Sequence, residues 1–371
     1  MTTIMVGLGT PQLGYNNQPQ KSWSSKLLQL TVALSPNVKT AQPITFASQP
    51  GTGPEGAPYQ GGANTITFPF LRTSARLSSL GSLTGQSAHI RIWGLTLAQM
   101  YQLATLGISY NILPYNFLTL QAGDASGLYT VFSGTIRNAY GDFSAQPDVP
   151  FIFDCVPGAV GPNGIANGVP LPVPTTFQGS TSIVNLLSGM ARQLGYGFVN
   201  GGVDTSLTLT NPYFSGTIRD QVQACARAVK DVVDVQLGNA NIVIFPRGGA
   251  INSTVAPIIS AKTGMIDYPL FTTQGVVVKT LFNPQIVRGG PVQIGSSVLQ
   301  NTLSAIAAQN SSFVPPQTVV TADGTNSIWV AYRIDAALDS QMPNGQWQET
   351  VYCYNPGFSQ GTQAYPTPPT A

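Results

Sequence analysis

Thr263–Pro284 reads TGMIDYPLFTTQGVVVKTLFNP. Gly275 opens a β-branched run, Val276–Val278, that suits a pleated sheet, and Asn283-Pro284 is a turn starter. The segment reads as a strand bracketed by turns. Working outward from it, the chain is β-rich from about residue 251 to 356, with further strands at Pro291–Ser297, Ser327–Leu338 and Trp347–Cys353. Between these lies a polar stretch, 301–326, which reads as a long flexible insertion. The residues after Pro356, GFSQGTQAYPTPPTA, read as a flexible C-terminal tail, 357–371.

Toward the N-terminus the pattern changes. Ile183, Leu186, Leu187, Met190 and Leu194 recur at helical spacing, stopped by Gly195. A short strand follows at Leu207–Leu209. Ser215 then precedes a second helix with Ile218, Val222, Cys225, Ala226 and Val229 on one face. Val232–Leu237 and Asn241–Phe245 form a hairpin across Gly238-Asn239. Residues 177–250 are thus a small α+β domain. The Gly/Pro/Val-rich stretch 158–176 before it reads as a linker.

Residues 22–157 form another β-rich region. LLQLTVAL (27–34) is a strand, Thr65–Leu77 alternates imperfectly, and HIRIW (89–93) alternates cleanly. Leu95, Leu97, Met100, Tyr101, Leu103 and Leu106 give one helix, stopped by Gly107. Strands resume at Phe117–Gln121, Tyr129–Ala139 and Val149–Val156. Residues 1–21, rich in Gly, Pro, Gln and Asn, read as an extended arm. The fold class is mainly β with an α+β insert: two sandwich or half-barrel domains flanking a small α+β domain.

Charge narrows the function. Charged residues make up 8% of the 371-residue chain and the net charge is +2, against about 25% charged in an ordinary soluble domain. A surface of Ser, Thr, Asn, Gln and Gly loses little desolvation energy when a partner covers it. This fits a subunit that resides inside an assembly; a secreted or outer-membrane β-protein is the alternative with the same composition. Lys and Arg are scattered, so a nucleic-acid-gripping or membrane-surface protein is disfavoured. Cys155, Cys225 and Cys353 are widely spaced and form neither a disulfide framework nor a metal motif. The N-terminus MTTIMVGLGTPQLG lacks a basic n-region and a proper apolar core, so synthesis and folding in a cytoplasm are expected.

Candidate chemistry is sparse. His89 is the single histidine, in an alternating strand, so any triad or zinc site has to use it. Gly7, Gly9 and Gly14 lack the strand–helix context of a nucleotide loop, and no P-loop is present. An acid pair for glycoside hydrolysis has few candidates: Glu55 in a loop, Glu349 in a strand, and Asp231 and Asp234 as solvated charges at a hairpin strand. No catalytic residue, cofactor site or metal site is assigned.

The Thr263–Pro284 stretch, followed by Gly289-Gly290 and VQIGSS, resembles the last β-domain of baseplate hub proteins from contractile-tailed bacteriophages. HIRIWGLTLAQMYQLATLG, VFSGTIRNAYGDFSAQPDVPFIFD and SLTLTNPYFSGTIRDQVQACARA look like the same family. The residues that carry the signature are Gly264, Tyr268, Pro269, Gly275, Leu281, Asn283 and Pro284, all with structural roles. The resemblance covers about 22–355 outside 301–326. It implies a structural, non-enzymatic subunit of the virion baseplate without cofactor or small-molecule ligand. The implied assembly is a homotrimer whose two tail-tube-like domains per chain, 22–157 and 251–356, make a pseudo-sixfold ring. Its implied partners are the tail tube or tube-initiator protein, the central spike and other baseplate proteins, with genomic DNA passing transiently. A tail-tube or tube-initiator subunit and a tail-associated cell-wall hydrolase are the alternatives.

Overall fold

The computed structural model describes residues 25–33, 61–62, 65–79, 86–104, 116–156, 173–193, 196–216, 218–229, 232–238, 241–251, 256–272, 275–310, 316, 318–321 and 324–355. The expected arm at 1–21, the C-terminal tail, the stops at Gly107 and Gly195, and most of the 158–176 linker lie outside them.

The first β-region contains β1 (Leu27–Ala33), β2 (Gly61–Gly62), β3 (Thr65–Pro69), β4 (Thr73–Ser79), β5 (Gln86–Ile92), helix α1 (Leu97–Ala104), β6 (Phe117–Asp124), β7 (Gly127–Gly141) and β8 (Phe151–Val156). The imperfect alternation of Thr65–Leu77 resolves into two strands, because Phe70 takes a left-handed backbone, φ 56°, and breaks the run. Helix α1 starts at a capping box: Gln99 N–H donates to Thr96 Oγ1 at 3.3 Å and Thr96 N–H donates to Gln99 Oε1 at 2.8 Å. Met100 and Leu103 bury its inner face.

The middle segment contains β9 (Thr175–Thr176), β10 (Ser180–Ser182), α2 (Ile183–Gln193), β11 (Gly197–Asn200), β12 (Thr208–Thr210), β13 (Tyr213–Phe214), α3 (Ile218–Ala228), β14 (Val233–Gly238) and β15 (Asn241–Pro246). Three expectations need correction. Thr175 and Thr176 pair with Phe214 and Tyr213, so the end of the expected linker is part of this unit. The hairpin pairs Gly238 with Asn241, which moves the two-residue turn one step on, to 239–240, outside the described residues. Gly197–Asn200, not expected as a strand, runs parallel to β15. Ile183, Leu187, Met190, Val222, Cys225, Ile242 and Ile244 form its core.

The second β-region contains β16 (Ile258–Ser260), β17 (Leu270–Thr272), β18 (Gly275–Leu281), β19 (Pro291–Gly295), α4 (Ser297–Gln309), β20 (Thr318–Thr321), β21 (Gly324–Ser340) and β22 (Trp347–Tyr354). Here the flexible-insertion reading of 301–326 fails. Residues 301–309 complete α4, whose Ser296 cap accepts from Leu299 N–H at 3.4 Å, and Thr318–Thr321 forms a hairpin with β21. Leu299 and Leu303, one turn apart, bury that helix against the core. No helix among the described residues is long and apolar enough to cross a membrane.

Both β-regions share one 15-stranded sheet, ordered β17-β18-β22-β21-β4-β5-β8-β7-β6-β1-β3-β2, with β16, β19 and β20 branching from it. The 17-residue β21 joins them. Its first half pairs with β19 and β20, and its second half lies between β22 and β4. The apolar cores interlock at this joint: Phe282, Leu338 and Trp347 belong by sequence to the second region but pack into the core of the first. Trp347 meets Phe282 edge-on at 5.8 Å. Trp347→Ala is expected to destabilise the chain by about 3–5 kcal/mol, the usual cost of emptying a large aromatic site. Urea denaturation checks this, and a loss under 1 kcal/mol would show that the cores are independent.

Candidate functional site

The joint between the two β-regions is where the chain concentrates its polar chemistry. Along β4, Thr73, Ala75 and Leu77 point inward, so Ser74, Arg76 and Ser78 line the opposite face. On β21 the same face carries Asp335 and Asp339. The register sets Ser74 opposite Asp339 and Ser78 opposite Asp335. Ser74 Oγ donates to Asp339 Oδ1 at 2.7 Å and Ser78 Oγ donates to Asp335 Oδ1 at 2.8 Å. Between them Arg76 grips Asp339 with both terminal nitrogens, at 2.7 and 3.2 Å. Gln346 N–H adds a donor to Asp339 at 2.8 Å, and Arg333 closes on Asp335 at 2.7 Å. Burial pushes the Asp339 carboxyl up, but the donors from Arg76, Ser74 and Gln346 outweigh it and hold the group below the usual range.

A shallow groove of about 620 Å³ lies beside this ladder, lined by Arg76, Ser87, His89, Arg137 and Asp154 among others. His89 Nδ1 is 2.7 Å from Asp154 Oδ1, an arrangement found in two-thirds of a catalytic triad. The third position is taken by a cation: Arg91 Nε donates to His89 Nε2 at 3.2 Å. The nitrogen that would accept a proton from a nucleophile is engaged. Ser78, also in the groove, gives its hydroxyl proton to Asp335. No group of three or more His, Cys, Asp or Glu side chains among the described residues could hold a metal ion. Cys155, Cys225 and Cys353 are buried free thiols. Burial pushes all three up, the Cys225 thiol to about 12, which disfavours the reactive thiolate form.

The signature residues cluster around β18. Gly264, at φ +107°, turns the chain so that its carbonyl accepts from Leu281 N–H at 2.9 Å and from Thr280 Oγ1 at 3.1 Å. Gly275 lies so close to β22 that a Cβ there would sit 2.0 Å from the Cys353 carbonyl oxygen, which only glycine permits. Asn283 Oδ1 accepts from Gln285 N–H at 3.0 Å, forming the turn that Pro284 continues. Pro269 is buried, whereas Tyr268 is fully displayed to solvent. Asn283 N–H also donates to Glu349 Oε1 at 3.1 Å. Glu349 is buried in β22, and that burial pushes its pKa up to about 8 against the opposing pull of the Asn283 N–H.

Sequence reasoning passed over Arg76, Asp335, Asp339 and Arg288. Arg288 is buried, and its guanidinium Nε donates to Gln236 Oε1 at 2.9 Å while the Gln236 amide donates back to the Arg288 carbonyl at 3.2 Å. Burial lowers its pKa to about 10, and the Asp234 carboxylate works against that fall. Asp234 therefore faces an internal cation rather than acting only as a solvated edge charge, while Asp231 and Glu55 lie outside the described residues. The α+β unit is fastened to the second β-region here. Ile251 N–H donates to Gly289 O at 2.7 Å and Tyr354 Oη donates to Gly249 O at 2.8 Å.

Comparison with known proteins supplies the class to which this shared-sheet fold belongs. The family model described as baseplate hub gp41 matches residues 85–304, more than half of the chain. The chain belongs to this family of phage baseplate hub proteins, components of the virion tail. Among solved structures it is similar to the 43 kDa tail protein of prophage MuSo2 from Shewanella oneidensis, with 8% identity, 90% of this chain and 97% of that chain covered, and a TM-score of 0.48. It is also similar to a tail protein from Neisseria meningitidis MC58, with 10% identity, 88% and 96% coverage and a TM-score of 0.44. No curated protein matches the sequence.

Two predictions follow from the buried carboxylates. Asp339→Asn should cost about 1–3 kcal/mol at pH 7, the value of hydrogen bonds to a charged group. Because the folded-state pKa is depressed, that stabilisation is present above the unfolded value of about 3.9 and is lost as pH falls through the folded value. The variant's deficit should therefore vanish in acid. Glu349 has the opposite sign. Its folded pKa is raised, so stability falls as pH rises from about 4.3, the unfolded value, to about 8, and is level beyond. Glu349→Gln should remove that fall and melt above the parent at pH 9, with a gain of several kcal/mol. Chemical denaturation between pH 3 and 9 checks both; a parental profile flat from pH 5 to 9 would contradict the Glu349 assignment.

Proposed function

We propose that the chain is a non-enzymatic hub subunit that assembles as a homotrimer. Each copy contributes two tube-like β-domains, 22–157 and 251–356, so three copies present six β-walls around one axis. Such a ring joins a hexameric tail tube or tube-initiator protein on one side to a trimeric central spike on the other. It continues the channel through which genomic DNA leaves. The mechanism is geometric: symmetry is converted by building two walls into each chain, and no bond is made or broken.

The observation that carries this reading is β21. One strand runs from the core of the second β-region into the ladder of the first, so the two walls are held by covalent continuity and by the same hydrogen-bonded sheet. The low charge supports it as well. A net charge of +2 on 371 residues gives passing DNA little to adhere to, since phosphate binding scales with the cations a protein supplies. The hydrolase alternative needs a nucleophile with a free base or an ionised acid pair. Here His89 is engaged on both nitrogens, and Glu349 is buried in a sheet.

Native mass spectrometry of the full chain, or particle symmetry in electron micrographs of the baseplate, tests the stoichiometry. Three copies per ring are expected. Six copies, each giving one wall, would replace this reading with a tail-tube subunit, and a stable monomer at high concentration would reopen the enzymatic one.

A further inference from the structure

Strand β22 alternates without interruption from Trp347 to Tyr354, and its buried side serves both apolar cores: Trp347 lies in the first, Val351 and Cys353 in the second. Its neighbour β21 is interrupted. Ala331 stands opposite Cys353 and Arg333 opposite Tyr352, so Tyr332 is one residue more than β22 can pair. Beyond it the alternation resumes, with Ile334 opposite Val351 and Leu338 opposite Trp347. The buried series of β21 accordingly changes parity, from Trp329 and Ala331 to Ala336 and Leu338, without changing sides of the sheet. Ala331, Arg333 and Ile334 already oppose three successive residues, Cys353, Tyr352 and Val351. The ladder would close without Tyr332. The surplus residue makes a bulge, and a bulge bends its strand and sharpens the local twist.

The bend falls where β21 exchanges partners on its other edge. Ser327–Val330 pairs with β19, and Gly289 N–H donates to Ala331 O at 2.6 Å. From Ile334, opposite Ser79, β4 takes over. The bulge thus occupies the gap between the last residue held by the second β-region and the first held by β4. Aromatic rings close on it. The Tyr332 ring is tilted against those of Tyr352 and Tyr354, each 6.2 Å away. The Arg333 guanidinium lies 4.9 Å from the Tyr352 ring while it pairs with Asp335. Tyr354 Oη reaches on to Gly249 O of the α+β unit, so all three units meet at this point of β21. We propose that the Tyr332 bulge is a built-in corner, the position at which the angle between the two β-regions is set, and that Tyr352, Tyr354 and Arg333 clamp it at one value. The inference does not depend on how many copies assemble. A bulge interrupts the ladder hydrogen bonds, and without side-chain contacts across it β21 is free to twist there. The three rings and the guanidinium supply those contacts.

Double electron–electron resonance on the full chain reads the angle as a distance. Spin labels are placed at Ala125→Cys in the first β-region and Lys262→Cys in the second, both exposed positions. The three native thiols are buried and stay unlabelled. Labelled chains are diluted into unlabelled parent, so that only distances within one chain are read. The parent should give one narrow distance. Deletion of Tyr332 should leave a folded chain, because its neighbours then pair regularly with β22, and should shift the distance by about 3 Å or more, the rise of one strand residue. Tyr332→Ala combined with Tyr352→Ala keeps the surplus residue but opens the clamp. It should hold the mean distance and broaden its distribution. A folded deletion variant at the parental distance overturns the corner. If the deletion variant does not fold, the double alanine variant decides: a broadened distribution upholds the clamped corner, and one as narrow as the parent's overturns it.

Discussion

The β4–β21 ladder is the constraint on which the rest of the β-structure depends. Its apolar face alone does not specify it well, since Ala75 and Leu77 against Ala336 and Leu338 offer modest shape. The polar face does. A slip of one residue turns every side chain of a strand to the other side. It would place Ser74, Arg76 and Ser78 in the core and strand Asp335 and Asp339 among hydrocarbon. Each cross-strand pair contributes only about 0.2–1 kcal/mol in place, but an unpaired buried carboxylate costs several times that. The ladder is therefore selective more than strong. Once its register is set, β22 and β18 follow on one side and β5, β8 and β7 on the other. Phe282 and Trp347 are then carried into the first core.

Much of this was legible in the sequence, and the parts that were not share a cause. Alternation marks β5, and the β-branched run after Gly275 marks β18, because each strand buries one face. The helices at Ile183 and Ile218 announced themselves through large apolar residues one turn apart. Helix α4 has the same spacing at Leu299, Leu303 and Ile306, with Ser296 as its cap. Its outer face is Asn, Thr, Ser and Gln, the residues that elsewhere in this chain mark loops, so from sequence the stretch reads as a flexible insertion. In a protein with so few charges, the contrast between a solvated helix face and a loop is lost. The joint itself was invisible for another reason. Asp339 and Arg76 are 263 positions apart, and nothing local in either strand says that a partner exists. Among the signature residues, Gly275 stands where the close approach of β22 leaves no room for a Cβ. Tyr268 was grouped with them, yet its side chain takes no part in holding the strands.

The scarcity of charge acquires a meaning once the charges are located. Arg76, Arg333, Asp335 and Asp339 weld the two β-regions, and Arg288 with Asp234 stands where the α+β unit meets the second of them. Arg72 and Asp148 pair at 2.6 Å across the first region. Two of the few charges, Asp339 and Arg288, are thus buried at joints between units. The other charges, among them Arg91, Arg137, Arg192, Arg227 and Lys262, stand on the surface among neutral polar groups and exposed Tyr, Leu and Ile. Such a surface is poorly suited to keeping a monomer in solution and well suited to being covered.

The same arrangement bears on how the chain carries load. Opening an angle between the β-regions at β21 requires breaking the paired stretch Ile334–Ser340 against Thr73–Ser79, withdrawing Trp347 from a core it shares with Leu338, and exposing Asp339 without Arg76. These elements fail together or not at all, because each is held by the register that the others maintain. A linker-joined pair of domains would bend at the linker under far smaller forces. The continuous sheet makes the two β-regions one stiff body. That stiffness comes from one long strand and a row of hydrogen-bonded side chains at its joint.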